Sequence, residues 1–416
     1  MSNEQPKSDP SAGVDVRQVN CPACGHHVAV RLLQSTDQPL ATLAWPQSKE
    51  AAEQMKRLPL NFVCCVNCGH IFNETFEYSE VPYGHRPNLM FNRGFYWSEV
   101  IRNLQQELRQ WLPPNPTVVE IGHGDGGFLH GLAEICERGK FVGFDPHGTE
   151  DGSELVQFRR ELFLPSEHIA ELRPDIIISR HVLEHLSNPL GFLQELSFTA
   201  ALAGHPVLAY FEVPCVDRML ETGRTVDLYY EHSSQFTSSS FGAMLSRCDA
   251  LIERIGHLYE REVIYGFVQL GKLQRSQLIA EQATSFLNDA TKALETIHRQ
   301  LDELAASPAL VAIWGGTGKA AAFINRYSLD AERFPLVVDS DPDKVGTFVP
   351  GTGQEIQFRD VLKASPAHTI IVPPQWRARD ILREMQNEEI QFARILIEHE
   401  GELIDFLDGH HPYARS

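Results

Sequence analysis

Short apolar runs alternate with helical stretches twice along this chain, and that alternation limits the possible folds more than any single residue does. The first series is TVVEIG (117–122), FVGFD (141–145), DIIIS (175–179) and PVLAYFEVP (206–214). The second is LVAIWG (310–315), PLVVDS (335–340), TIIVPP (369–374) and ARILIE (393–398). Apolar strands separated by helices predict parallel, doubly wound α/β sheets covered on both faces. LIERIGHLYE and VIYGFVQL, near 251–270, read as a hairpin at the edge of the first sheet. An amphipathic helix is expected over 91–111, ended by Pro113 and Pro114. Between the two series, Ile279, Ala283, Phe286, Ala290, Leu294, Ile297, Leu301 and Leu304 recur every three or four residues. That stripe predicts a long packing helix, stopped by Pro308.

Composition narrows the partners. The 416 residues carry 36 Lys+Arg against 55 Asp+Glu, a net charge of −19, so a general nucleic-acid binder is excluded. No apolar run reaches membrane-spanning length, and the polar start MSNEQPKSDPSAG lacks the apolar core of a signal peptide. No membrane partner and a cytoplasmic location are therefore expected. In a reducing compartment the eight cysteines read as thiols or metal ligands.

Four of them are paired. Cys21-Pro-Ala-Cys24 and Cys65-Val-Asn-Cys68 are C-x2-C knuckles, each followed by glycine. Two such knuckles supply four thiolates, the tetrahedral set of structural Zn²⁺, with no position left open for catalysis. Cys64 could replace Cys65, although Cys65 keeps the knuckle spacing. Cys136, Cys215 and Cys248 stand alone and read as core fillers.

Glu120-Ile-Gly122-His-Gly124-Asp-Gly126-Gly127 follows the first strand and opens a helix. Glycines there let a ligand approach the backbone at the strand's carboxyl end. Asp145 then ends the second strand, where an acid can hold ribose hydroxyls, and Pro146 follows it. The E-x-G-x-G turn resembles motif I of class I S-adenosylmethionine (SAM)-dependent methyltransferases. DIIISRHVLEHLSNPLGFL resembles the family's fourth strand and following helix. His181-Val-Leu-Glu184-His185 also fits an inverted zinc-protease motif, but its place at the end of a parallel strand disfavours that reading. Both histidines are candidate cleft residues.

Thr225 to Thr237 concentrates Tyr229, Tyr230, Glu231 and His232. Glu beside His can raise imidazole basicity, and Tyr can donate to a developing oxyanion. These groups could remove a proton alpha to a ketone.

The second series opens with Gly315-Gly316-Thr-Gly318-Lys319, and Asp339 lies about 20 residues on, as a dinucleotide site requires. The turn is not a P-loop. Its amides could instead hold a substrate diphosphate.

The Y-x-E-H stretch resembles that of sugar C-methyltransferases that build branched deoxysugars. Val338-Asp339-Ser-Asp-Pro-Asp-Lys344-Val-Gly346 and Pro350-Gly351-Thr352 resemble the family's C-terminal domain. The likeness implies three parts: a zinc-binding domain (19–80) after a disordered lead-in (1–18), a SAM-dependent methyltransferase domain with its linking helix (81–305), and a C-terminal Rossmann-like domain (306–416). It implies His232 as general base, with Tyr229 and Glu231 beside it and His181 and His185 near the substrate. It implies SAM at Glu120, Gly122, Gly124, Asp145 and Pro146, and zinc at Cys21, Cys24, Cys65 and Cys68. The implied substrate is a nucleotide-linked keto deoxysugar, and the chain is expected to be a monomer or weak homodimer. The family's tyrosine-rich segment before the first methyltransferase helix is replaced here by EVPYGHRPNLMFNRGFY, where Tyr83 is a candidate substitute. A different small-molecule substrate methylated at carbon, nitrogen or oxygen, an NAD-dependent oxidoreductase and a zinc-ribbon adaptor are the alternatives.

Overall fold

The computed structural model describes residues 13–42, 45–81, 94–272 and 275–414. Tyr83 and most of the altered segment lie outside them. The chain divides into two compact units, Met1–Leu278 and Ile279–Ser416. The division falls near the start of the long helix, whereas the expected boundary lay at its end.

The first unit begins with β1 (Val16–Gln18), β2 (Val28–Gln38), α1 (Lys49–Glu53), β3 (Leu58–Cys65) and β4 (Ile71–Asn73). The four strands form an antiparallel sheet. Val16–Gln18 pairs with Val28–Val30, so the end of the expected lead-in is ordered strand rather than disordered chain. α1 falls between the two knuckles.

A second sheet follows, with α2 (Phe95–Trp111), β5 (Thr117–Ile121), α3 (Gly127–Cys136), β6 (Lys140–Phe144), β7 (Val156–Arg159), α4 (Pro165–Leu172), β8 (Ile176–Arg180), α5 (Pro189–Leu202) and β9 (Val207–Pro214). Then come α6 (Asp217–Thr222), β10 (Ser234–Gln235), α7 (Ser238–Leu245), β11 (Leu251–Leu258) and β12 (Val263–Leu270). The strand order is β11-β12-β9-β8-β5-β6-β7. β5 to β9 are parallel, and β12 is antiparallel to both of its neighbours. This is the class I methyltransferase arrangement, including the anticipated edge hairpin. β7 went unread, because VQFR is too short and too polar to stand out in sequence.

Alternate side chains explain the layering. Val118, Ile176 and Ile178 pack with Leu104 and Leu108 of α2 and Leu129 and Leu132 of α3. Val119, Ile121 and Ile177 face α4, α5 and α7 through Ile169, Leu193, Leu196 and Met244. The four knuckle cysteines join that same buried cluster. β10 completes the first sheet by pairing antiparallel with β4.

The second unit holds nearly all of α8 (Arg275–Ala306), then β13 (Val311–Trp314), α9 (Lys319–Arg326), β14 (Leu336–Asp339), β15 (Ile356–Phe358), α10 (Val361–Ala364), β16 (Thr369–Ile371), α11 (Ala378–Asn387), β17 (Arg394–His399) and β18 (Glu402–Asp405). Its order is β15-β14-β13-β16-β17-β18, parallel except for the final hairpin. Ile297, Leu301 and Leu304 of α8 pack in one core with Ile313, Ile324 and Val337. No described helix is long and apolar enough to cross a membrane.

Candidate active site

At the carboxyl ends of β5, β8 and β9 a cavity of about 690 Å³ opens. Gly122, His123, Gly124, Trp97, Arg180, His181, Glu184, His185, Tyr229 and His232 are among the residues that line it.

Gly122 has φ 76°, and a Cβ built there would lie 2.4 Å from Val182 Cγ2 in the turn after β8. Only glycine fits both the left-handed backbone and that approach. Its N–H donates to Phe144 O at 2.7 Å, which pins the turn to β6. Asp145 Oδ2 accepts from Gly124 N at 3.1 Å, and Oδ1 accepts from His147 N at 2.8 Å. The acid therefore faces the glycine turn. Asp145 and the half-buried Pro146 do not line the cavity itself.

Beneath the cavity lies a buried set of charges. Glu120 is 2% exposed and Oε2 has no hydrogen-bond partner; burial pushes its carboxyl up to about 8. Arg180 Nε pairs with Glu212 Oε1 at 2.9 Å, and its guanidinium stacks over Phe128 at 4.2 Å. Tyr210 Oη donates to Glu212 Oε2 at 2.6 Å. Burial opposes the Glu212 charge, yet Arg180, His181 and Tyr210 hold the carboxyl down to about 2. His181 Nδ1 lies 3.4 Å from Glu184 Oε1 and its Nε2 3.3 Å from Glu212 Oε1. Burial works against an imidazolium, but these carboxylates raise His181 to about 9. His181 is thus a fixed cation near neutral pH and not a base.

His232 behaves differently. Nδ1 of His185 donates to the backbone oxygen of Glu231 at 2.8 Å. The His185 and His232 rings meet edge to face at 4.8 Å. Tyr229 Oη and His232 Nε2 share a 2.8 Å hydrogen bond. Burial, and His185 after it, push His232 down to about 3, so its ring is neutral. Burial also raises the Tyr229 phenol, so it stays protonated.

Sequence reasoning placed Glu231 as the partner that orients His232, and the structure corrects this. Glu231 is fully buried, and its Oε1 accepts from Thr42 N at 2.7 Å and from Thr42 Oγ1 at 3.2 Å. Its neighbours in the loop are also tied to the N-terminal sheet. Tyr230 Oη accepts from Glu77 N at 2.9 Å, Asn73 N donates to Ser233 O at 3.0 Å, and Ser234 Oγ meets His70 Nε2 at 3.2 Å. Tyr229 and His232 alone in this run are left to line the cavity.

Several site residues escaped the sequence reading: Trp97, His123, Arg180, Glu184 and Glu212. Glu212 carried a signal, since it is the one charge within the apolar run PVLAYFEVP.

The four cysteines meet as their spacing required. Cys21 and Cys68 sulfurs lie 3.7 Å apart, as do those of Cys24 and Cys65. Tetrahedral Zn–S bonds of about 2.3 Å imply S···S edges of about 3.8 Å. Both knuckles share one pattern: Gly25 N donates to Cys21 O at 2.8 Å, and Gly69 N to Cys65 O at 3.0 Å. The donor set fits zinc. Cys64 stays outside it, with Sγ directed to the Cys65 carbonyl.

Residues 94–250 match a family described as a methyltransferase domain. Residues 274–397 match one described as a C-methyltransferase C-terminal domain. The chain is a methyltransferase with a C-methyltransferase C-terminal domain. No curated protein matches its sequence. Among solved structures, the SAM-dependent methyltransferase of Aquifex aeolicus is similar at 16% identity, over 47% of this chain and 99% of that one, with a TM-score of 0.31. Magnesium protoporphyrin IX methyltransferase of Synechocystis PCC 6803, bound to S-adenosylhomocysteine, is similar at 15% identity, over 43% of this chain and 89% of that one, with a TM-score of 0.30.

Proposed function

We propose that this methyltransferase methylates a carbon alpha to a ketone, on a nucleotide-linked keto deoxysugar. The observation that carries this reading is the Tyr229–His232 pair lining the cavity beside the glycine turn. The C-methyltransferase C-terminal domain supports methylation at carbon. Glu120, Gly122, Gly124 and Asp145, with Pro146 behind them, hold SAM. SAM supplies an activated methyl group, for which alignment is the main requirement. His232, neutral in its buried setting, takes the alpha proton as general base. The C–H electron pair moves toward the carbonyl oxygen, and Tyr229 donates to the oxyanion that forms. Cys21, Cys24, Cys65 and Cys68 hold a structural zinc ion that fixes the sheet behind the 229–235 loop.

The test is turnover of thymidine- and uridine-diphosphate 4-keto-6-deoxyhexoses with methyl-labelled SAM, with NMR of the product. A new C–methyl bond is expected. His232→Ala should lower kcat by about 10³-fold, within the range of lost general-base catalysis. A fully active His232→Ala enzyme, or a methyl group on oxygen or nitrogen, would remove this reading.

A further inference from the structure

Glu184 is a buried carboxylate that the proposed chemistry does not yet use. It sits in the turn after β8, is 1% exposed, and neither carboxylate oxygen has a hydrogen-bond partner. Its one close charge is His181, whose Nδ1 is 3.4 Å from Oε1. A carboxylate carried into a protein interior costs several kcal/mol unless cations or hydrogen bonds compensate it. One ion pair to an imidazole already shared with Glu212 is incomplete compensation.

The site offers a second use for that charge. A carboxylate oxygen of Glu184 and a ring nitrogen from each of His185 and His232 all lie within 4.8 Å of one another. Among the described residues, the charged and titratable groups facing His232 are few. From the turn after β8 come His181, Glu184 and His185, and from its own loop comes Tyr229. Arg180 and Glu212 form a layer below and are committed to each other. Glu231 turns its carboxylate to Thr42. Glu184 is therefore the anion in reach of His232.

We infer that Glu184 is a positioning residue that holds the counter-charge for the imidazolium formed on His232. The inference rests on the base role proposed above. In the step, His232 forms an N–H bond with the alpha proton, and the C–H electron pair becomes the enolate double bond with charge on oxygen. His232 gains one positive charge, and Glu184 remains a carboxylate throughout. In a cavity of low dielectric, a preformed anion at this distance favours the charged state over the neutral one. His181, held in place by Glu212, keeps the Glu184 carboxylate ionised before substrate arrives.

The experiment compares Glu184→Gln, Glu184→Asp and His232→Ala with wild type, on whichever 4-keto-6-deoxyhexose nucleotide the enzyme turns over. Two rates are read: kcat, and exchange of the alpha proton into heavy water with S-adenosylhomocysteine bound. Glu184→Gln should lower both by about 100-fold while the KM for SAM changes less than threefold. Glu184→Asp should recover at least tenfold of the loss. The acid limb of the kcat–pH profile should move to lower pH in Glu184→Gln, because the imidazole loses the anion that raises its basicity. A structural role would leave that limb in place. Glu184→Gln within threefold of wild type overturns the inference, as does a loss of kcat with an unmoved limb. Stoichiometric Mn(II) binding that vanishes in Glu184→Gln also overturns it, by making the cluster a cation site. If Glu184→Gln fails to fold, Glu184→Asp carries the test: a moved carboxylate should lower proton exchange at least threefold, and unchanged exchange overturns the inference. An active His232→Ala enzyme would instead overturn the base assignment.

Discussion

The two Rossmann-like sheets share a plan and differ in what they bury. Each opens with a strand, a glycine turn and a helix, and each has an acid at the carboxyl end of its second strand, Asp145 just after β6 and Asp339 as the last residue of β14. Asp145 faces the glycine turn through Gly124 N. Asp339 is occupied by its own loop, accepting from Asp341 N at 3.0 Å and pairing with Lys344 Nζ at 3.2 Å. The first unit buries Glu120, Glu184 and Glu212 around its cavity, whereas among described residues the second buries a single carboxylate, Asp339, with Tyr327 and His411. A shared fold therefore does not carry shared chemistry. The cluster of buried, mutually perturbed ionisable groups is the reason the proposed site is placed in the first unit.

The largest expected effect concerns the first unit alone. Removing zinc, or Cys68→Ser, should cost several kcal/mol of stability there and abolish turnover. The cause is β4 pairing with β10, two residues after His232. Calorimetry should show one transition lost or lowered while the second unit's is unmoved, and elemental analysis should find one zinc per chain. A single shared transition that shifts as a whole would erase the contrast.

Next comes the glycine turn. Gly122→Ala should cost about 2 kcal/mol or more and weaken SAM binding at least tenfold, since φ 76° and Val182 both resist a Cβ. Gly318→Ala, at φ 60° with open space around it, should cost about 1 kcal/mol and leave SAM binding alone. Thermal shifts sharpen the point: SAM should stabilise the protein and NAD should not.

A smaller effect is alkaline. Because the folded His181 titrates near 9 against an ordinary 6.5, its contribution is complete below pH 6.5 and is lost as pH rises through 9. It amounts to about 3 kcal/mol at most by linkage. Tm should fall across that window in wild type and fall less in His181→Gln. The smallest effect belongs to Lys344→Met, whose partly exposed ion pair should contribute no more than about 1 kcal/mol. Any gain of NAD binding in that variant would weaken the distinction between the two turns.

Much of this was legible in residues. The βα alternation gave both sheets, because buried parallel strands must be apolar throughout. The knuckles gave the four-cysteine cluster, because two C-x2-C pairs have few other uses. Gly122, Gly124, Tyr229 and His232 were found by pattern. Glu231 was assigned by adjacency to His232, and adjacency misled. Glu231 sits in a turn, where neighbouring side chains need not share a side, and it faces the N-terminal sheet while His232 faces the cavity. β10 was invisible because two residues of strand carry no periodicity.

By itself the sequence determined the fold class, the order of the two parallel sheets and the four-sulfur cluster. These follow from local patterns of period, spacing and turn chemistry. Only the tertiary structure decided that His181 is a cation and His232 neutral. That depends on Arg180 at the end of β8 and Glu184 in the turn after it meeting Glu212 of β9. It also decided that residues 230–235 are fastened to the cysteine-bearing sheet more than 150 residues upstream. Electrostatics and strand pairing act through space, and no local pattern in the chain records which distant groups will meet.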